Sequence, residues 1–214
     1  RHLGHVPAAG RAGVLDHGHR VQVDDARAEL PVHLGWRRRL LVAPAALGQD
    51  AVAVYHADVY LPNYFEMTAT VRATKPAKGY KANAYLVFDY QSPTDFRFAG
   101  LDVSTNKLQL GYRDDSGWHV VVQKPYTSSL KADTDYQVVL ALNGSVATLV
   151  VGGKVTLAYT YAARVDAEGL AQGLSAGMVG LGANNAKAQI DNLTVTRATP
   201  ATTLERTVQF TGDA

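Results

Sequence analysis

The sequence predicts an all-β chain: two antiparallel sheets packed face to face as a jelly-roll sandwich. Three observations predict it. Residues 80–113 alternate apolar and polar side chains through three consecutive runs. Short turn texts separate these runs and recur along the chain after residue 113. Apolar residues at the three-and-four spacing of a helix are missing from the same region, and that spacing is the mark of an amphipathic helix.

The central meander sets the pattern. In a strand, successive side chains point to opposite faces. In YKANAYLVFDYQ, Ala82, Ala84, Leu86, Phe88 and Tyr90 share one side, and Lys81, Asn83, Tyr85, Val87, Asp89 and Gln91 share the other. In DFRFAGLDV, Phe96 and Phe98 oppose Asp95 and Arg97. In KLQLGYR, Leu108, Leu110 and Tyr112 oppose Lys107, Gln109 and Arg113. The runs are joined by Ser92-Pro93-Thr94 and Ser104-Thr105-Asn106. Asn, Asp and Ser bond their own backbone in turns, and Pro fixes φ. The expected layer therefore rests on Leu86, Phe88, Phe96, Phe98, Leu108 and Leu110, with a polar, aromatic-bearing face opposite. Such a sheet needs a second one to cover its apolar side.

The remaining elements follow in order. AVAVYH (51–56) and YFEMTATVRA (64–73) read as strands before the meander. After it, Asp114-Asp115-Ser116-Gly117 is a hairpin turn into WHVVVQK (118–124). DYQVVLALN (135–143) turns at Asn143-Gly144, the strongest short hairpin signal, into SVATLVV (145–151). Gly152-Gly153 leads to KVTLAYTY (154–161). Residues 162–174 are the one stretch that reads as a short helix or a long loop. SAGMVGLGA (175–183) reads as a strand that bends or lies close to another backbone, because glycine inside a strand marks such places. KAQIDNLTVTR (187–197) is the last strand. This makes ten or eleven strands with turns every 8–12 residues or so, the signature of a sandwich.

Residues 1–39 differ. They hold five of the seven histidines and the run Arg37-Arg38-Arg39, and no periodicity persists; Val21-Gln22-Val23 is the best strand fragment. Three readings stand side by side: a disordered arm, a metal site through His2 and His5 or His17 and His19, or the text of a shifted reading frame of a GC-rich gene. The expected organisation is an irregular segment at 1–39, one sandwich domain at 40–197, and a linker and tail at 198–214, where a TVQF run could add an edge strand. The chain opens at Arg1, which reads as a fragment of a longer protein with neighbouring domains.

Composition excludes several classes. With 214 residues the chain can bury a full core. It has no cysteine, hence no disulfide framework and no Cys-based metal site. A net charge of +2, with charges interspersed after residue 39, does not point to nucleic acid. No apolar run approaches a membrane span of about 20 residues.

Residues 51–197 resemble the laminin-G-like and concanavalin A-like lectin/glucanase jelly rolls of bacterial secreted and surface proteins. The texts that carry the likeness are YFEMTA (64–69), NAYLVFDY (83–90), FRFAG (96–100), the Asn143-Gly144 hairpin, GMVGL (177–181) and IDNLTV (190–195). Gly35-Trp36 and Leu40-Leu41-Val42 echo the opening strand of such domains. The resemblance implies a carbohydrate-binding module, with glycan or polysaccharide as partner and an extracellular or cell-surface location.

Catalysis is not expected. Glucanases of this kind place paired carboxylates on one strand, about 5 Å apart for retention. Only Glu66 and Glu168 lie between residues 50 and 197, and no such run exists. A hydrolase reading would rest on Asp89 and Asp102 sharing a groove. The candidate ligand-binding residues are Asn83, Tyr85, Asp89, Arg97, Gln109, Arg113 and Trp118. Amides, carboxylates and guanidiniums suit hydroxyls, and aromatic faces suit a sugar ring; the plain alternative is a solvated sheet face. Asp191 is the candidate calcium ligand, the resemblance implying a structural ion held with loop carbonyls. The alternative is a strand carboxylate bonded to neighbouring amides. Gly177, Gly180 and Gly182 read as structural glycines rather than a phosphate loop, since no helix follows them.

Overall fold

The computed structural model describes residues 20–22, 33–36, 39–55 and 63–197. Among them there is no helix, and sixteen strands build the molecule. They are β1 (Arg20–Gln22), β2 (His33–Trp36), β3 (Leu40–Ala43), β4 (Asp50–Tyr55), β5 (Tyr64–Ala73), β6 (Asn83–Ser92), β7 (Asp95–Asp102) and β8 (Lys107–Asp114). The second half supplies β9 (Gly117–Pro125), β10 (Tyr136–Asn143), β11 (Val146–Val151), β12 (Val155–Thr160), β13 (Arg164–Val165), β14 (Ala171–Gln172), β15 (Met178–Asn184) and β16 (Ala188–Arg197).

Two sheets carry the fold, and every strand pair in them is antiparallel. One runs β1-β3-β16-β5-β10-β11-β12, with β2 also paired to β16. The other runs β4-β15-β6-β7-β8-β9. Their facing sides enclose the main core. Phe65, Met67, Val71, Leu140 and Leu149 come from the first sheet, and Leu86, Phe88, Leu101, Leu108 and Leu110 from the second; each is at most 1% exposed. This is the two-sheet jelly roll that alternation predicts.

β1 and β2 fall before residue 40. β2 and β3 lie end to end along β16, pairing Leu193–Thr196 and Ala188–Ile190 in turn. The His pairs at His2, His5, His17 and His19, residue 23, and the tail at 198–214 lie outside the described residues. Residues 162–174, read from sequence as a helix or long loop, instead hold the small hairpin β13–β14. Asp166 closes its turn by accepting the amides of Glu168 and Leu170 at 3.1 and 2.7 Å.

The second sheet departs from expectation in one respect. Directly opposed residues share a face, and Ala99 pairs with both Leu86 and Leu110. Ala99 and Leu101 therefore face the main core, while Phe96 and Phe98 point outward, not inward beside Leu86 and Phe88 as alternation suggested. They are still only 0% and 1% exposed. A second apolar cluster covers them, built from Val87, Tyr90 and Phe96 with Val52, Val54, Trp118 and Met178 packed against it.

That cluster exists because the sheet curls toward its outer side. Arg113 on β8 and Asp50 on β4 are four strand steps apart. Flat, four steps would span about 19 Å at about 4.8 Å each, yet Arg113 Nε meets Asp50 Oδ2 at 3.1 Å. Glycines make the curl possible. Gly100 and Gly182 both oppose Tyr85, Gly111 opposes Phe98, and Gly180 opposes Val87, all on the concave face. A Cβ at Gly100 would lie 2.2 Å from the Ala84 carbonyl oxygen, and one at Gly180 2.0 Å from that of Ala53. Close backbone approach at a strand glycine is what Gly180 was expected to show.

Gly100→Ala is expected to lower stability by about 3 kcal/mol in urea denaturation, because backbone rather than a movable side chain meets the new methyl. A midpoint unchanged from the parent would contradict the close approach.

Candidate functional site

The residues expected to form one ligand-binding face divide between two places. Asn83, Tyr85, Gln109, Arg113 and Trp118 lie on the concave outer face of the second sheet. Asp89 and Arg97 lie at one end of the sandwich. Arg97 leaves the face because β7 turns Phe96 and Phe98 outward and pairs Arg97 with Phe88; Asp89 leaves it through a bulge in β6 between Phe88 and Ser92, where it takes φ +48°. The extra residue reverses the parity of the strand. Tyr90 consequently joins the concave face instead of the core.

Most of the expected binding residues on the concave face are structural. Asn83 is 1% exposed; its amide donates to the Asn184 carbonyl and accepts the Asn184 amide at 2.9 and 2.8 Å. It fastens β6 to β15. Tyr85 is 3% exposed and donates to Gln109 Oε1 at 2.8 Å. Burial, with Asp102 adding to it, pushes the Tyr85 phenol well above its ordinary value. Gln109 is 6% exposed. These three cannot touch a ligand as they stand, and the solvated-platform expectation is corrected for them.

Arg113 and Trp118 are different. They are opposed across β8 and β9 next to the hairpin turn. The Trp118 ring packs on Phe98, Phe96 and Tyr85 with centroids 4.7, 5.2 and 5.5 Å away. Its far edge reaches Gly182, where a Cβ would stand 3.3 Å from Trp118 Cη2. The indole thus closes the mouth of the curled sheet while staying half-buried. Trp118 Nε1 and Arg113 Nη1 are both shielded and both without a hydrogen-bond partner. Two such donors on side chains directly opposed across a strand pair are unusual, because buried polar groups are nearly always paired.

At the sandwich end, Asp89 is fully buried. Its Oδ2 accepts from Arg164 Nε at 2.7 Å and faces Arg97 Nε at 3.2 Å, while Oδ1 accepts from Gln91. Arg164 also grips both oxygens of Asp95 at 2.9 and 2.7 Å. Arg97 donates to the Ala162 carbonyl at 2.9 Å and lies 4.7 Å over the Tyr161 ring. Burial lowers the Arg97 pKa, with Asp89 acting against it. Arg164 and Tyr161 were invisible to sequence reasoning. Arg164 sits in a stretch without periodicity, and a lone arginine there carries no signal.

The geometry separates Asp89 from Asp102, the pair on which a hydrolase reading would rest. Asp102 lies at the Asn83 end of the β6–β7 pair, and Asp89 lies beyond the Phe88–Arg97 pair at the other end. At about 3.3 Å per residue this is roughly 17 Å or more, far outside glycosidase spacing. Asp102 instead caps its turn, accepting from the Ser104 amide and the Thr105 hydroxyl.

A Ser-His-Asp cluster does occur on the β8–β9 hairpin, and it is not a triad. His119 Nε2 meets both Asp114 Oδ1 at 2.9 Å and Ser116 Oγ at 2.8 Å. A triad needs the acid on one ring nitrogen and the serine on the other. Here both share one nitrogen, so no proton can be relayed through the ring. The cluster staples the turn. The Ser116 hydroxyl, foremost, holds the Asp114 carboxyl down to about 2.

Asp191 sits beside the bulge of β16. Its Oδ1 accepts the Asn192 amide at 2.9 Å, and its Oδ2 is 3.8 Å from Arg39 Nε. Arg39 also meets Asp135 at 3.3 Å. Among the described residues no group of three or more His, Cys, Asp or Glu is placed to hold a metal ion. Asp191, one carboxylate already facing a guanidinium, does not by itself supply the several hard oxygens calcium takes.

No family model matches the sequence, and no curated protein sequence is similar to it. Solved structures are similar in fold. The carbohydrate-binding module CBM66 from Bacillus subtilis superposes with TM-score 0.58 at 13% identity, over 73% of this chain and 86% of that one. The exoplasmic/lumenal domain of VIP36, bound to Ca²⁺ and Man3GlcNAc, gives 0.52 at 12% identity over 78% and 84%. Aspergillus kawachii β-fructofuranosidase complexed with glycerol gives 0.50 at 11% identity, over 78% of this chain but 27% of that one. At these identities the likeness establishes the sandwich fold.

Two predictions follow from the charges. Arg97→Met leaves buried Asp89 with Arg164 and Gln91 as its remaining partners and is expected to cost about 1–3 kcal/mol in urea denaturation, whereas Asp89→Asn combined with Arg97→Met should recover part of it. The carboxyl of Asp114 should titrate near pH 2 by NMR, and Ser116→Ala should raise its midpoint. Its folded pKa is depressed, so its stabilising effect is present above the unfolded value near 4 and is lost as pH falls toward 2.

Proposed function

We propose that this chain is a non-catalytic β-sandwich module that binds carbohydrate at the mouth of its curled sheet, in an extracellular or cell-surface protein. The observation that carries the reading is the Trp118–Arg113 pair. Trp118 and Arg113 are opposed across β8 and β9, the indole N–H and one guanidinium nitrogen have no partner, and Arg113 also meets the Asp50 carboxylate. A sugar ring offers an apolar face to stack and hydroxyl oxygens to accept those donors. Because Asp50 already offsets the charge of Arg113, the site suits a neutral ring.

The fold supports the reading. CBM66 is by its description a carbohydrate-binding module, and the VIP36 domain was solved with a mannose-containing glycan. The proposed site makes no use of Asp191, which faces Arg39.

A second reading is a structural spacer or adhesion module between neighbouring domains. The burial of Asn83, Tyr85, Asp89 and Gln109 favours it, because polar groups that looked available serve the fold.

A glycan array followed by calorimetry separates the two. Trp118→Phe keeps an aromatic ring beside Phe98, removes the N–H and gives up the edge contact at Gly182. It and Arg113→Lys should each weaken binding of a neutral oligosaccharide about tenfold, the effect of one lost hydrogen bond to a buried donor, and chelator should leave binding intact. Absence of any neutral glycan ligand would hand the chain to the spacer reading.

A further inference from the structure

The end of the sandwich carries a second set of unused chemistry, independent of the mouth just described. It lies on the other face of the same β8–β9 hairpin. Phe88, Arg97, Tyr112 and His119 are opposed in turn across β6, β7, β8 and β9, so their side chains form one row. The outer half of the row is open. Tyr112 is 37% exposed and stacks on the His119 ring at 4.8 Å and 18°. The inner half ends at Arg97, which is 8% exposed and whose Nη1 has no hydrogen-bond partner.

The partners around this row are unevenly used. Asp89 serves two guanidiniums at once, those of Arg97 and Arg164. Both oxygens of Asp95 are taken by Arg164. Asp114 is taken by Ser116 and His119. Arg97 keeps a donor to spare, and these three carboxylates are all engaged. A guanidinium short of one acceptor, beside an exposed flat ring pair, fits a ligand with a negative group at one side of an otherwise stackable ring.

We infer that the Tyr112–His119 platform and Arg97 form a second binding site, and that it takes a uronic acid residue of an acidic polysaccharide. The sugar ring lies on Tyr112, and its carboxylate accepts from Arg97 Nη1. A carboxylate there completes the guanidinium's hydrogen bonding, which Asp89, the Ala162 carbonyl and the Tyr161 ring leave short at Nη1. Arg97 reaches the ligand from within a rigid network: Asp89 holds its Nε, the Ala162 carbonyl its Nη2, and the Tyr161 ring its face. The segment that carries Ala162 and Arg164 covers this end of the sandwich, so entry of the carboxylate displaces it slightly.

Calorimetry with an oligogalacturonate, and with a neutral oligosaccharide of equal length, tests this. The oligogalacturonate should bind the parent protein saturably and more weakly as salt is added. Tyr112→Ala, at an exposed position, and Arg97→Lys, which keeps a charge opposite Asp89, should each weaken it about tenfold or more. Trp118→Phe should leave oligogalacturonate binding unchanged, which separates this site from the mouth. Oligogalacturonate binding that survives Tyr112→Ala and Arg97→Lys, or is lost in Trp118→Phe, overturns the second site without touching the first. No saturable oligogalacturonate binding also overturns it. Loss of neutral binding alone would leave it standing.

Discussion

The close approach that glycines allow on the concave sheet, of backbone to backbone at Gly100 and Gly180 and of the Phe98 ring to backbone at Gly111, is the constraint on which the rest of the structure depends. Tyr85 is flanked by Gly100 on one neighbouring strand and by Gly182 on the other, and Phe98 is flanked by Gly111. With no Cβ at Gly111 the Phe98 ring lies against the backbone, where a Cβ would stand 2.5 Å from Phe98 Cζ, and at Gly100 the neighbouring strand's backbone closes in instead. The sheet can then coil far enough for β8 and β4 to meet through Arg113 and Asp50. A sheet with one buried side and one wet side becomes a sheet buried on both. Trp118 is drawn into the opening that remains.

Charge is handled differently at the sandwich end. Asp89 is removed from water completely, which is costly for an ion unless partners surround it. Two arginines and the Gln91 amide do so. The β6 bulge that places Asp89 there also turns Tyr90 toward the concave cluster, where it stacks on Phe96 at 5.7 Å. One residue with positive φ thereby supplies both a buried anion and an aromatic partner. Aspartate is among the few residues that tolerate that conformation.

The sequence carried the layer architecture well and the use of its faces poorly. Strict alternation in YFEMTATVRA and KLQLGYR was enough to locate β5 and β8, because each has one side in the main core. In β6, eight successive residues are buried, so alternation of polarity no longer reports which side meets water. Asn83 and Tyr85 looked like surface groups for that reason. Phe96 and Phe98 looked like main-core residues because hydrophobicity does not say which of two apolar clusters a side chain joins. A legible clue was present: Gly100 and Gly111 interrupt strands at positions that share a face with Tyr85 and Phe98. Arg164 and Asp50 gave no comparable clue, since their roles depend on contacts across 75 and 63 residues of chain.

The strand order also bears on how the molecule comes into being. β15 lies between β4 and β6, and β16 between β5 and the β2–β3 edge. Both are interior strands, and both are made last. Until residue 184 has been made the second sheet has an open slot between β4 and β6, and until residue 197 the first has one beside β5, so neither layer closes before then. Such late, distant pairing is slow to form, and it leaves the emerging polypeptide dependent on whatever shields exposed strand edges before release.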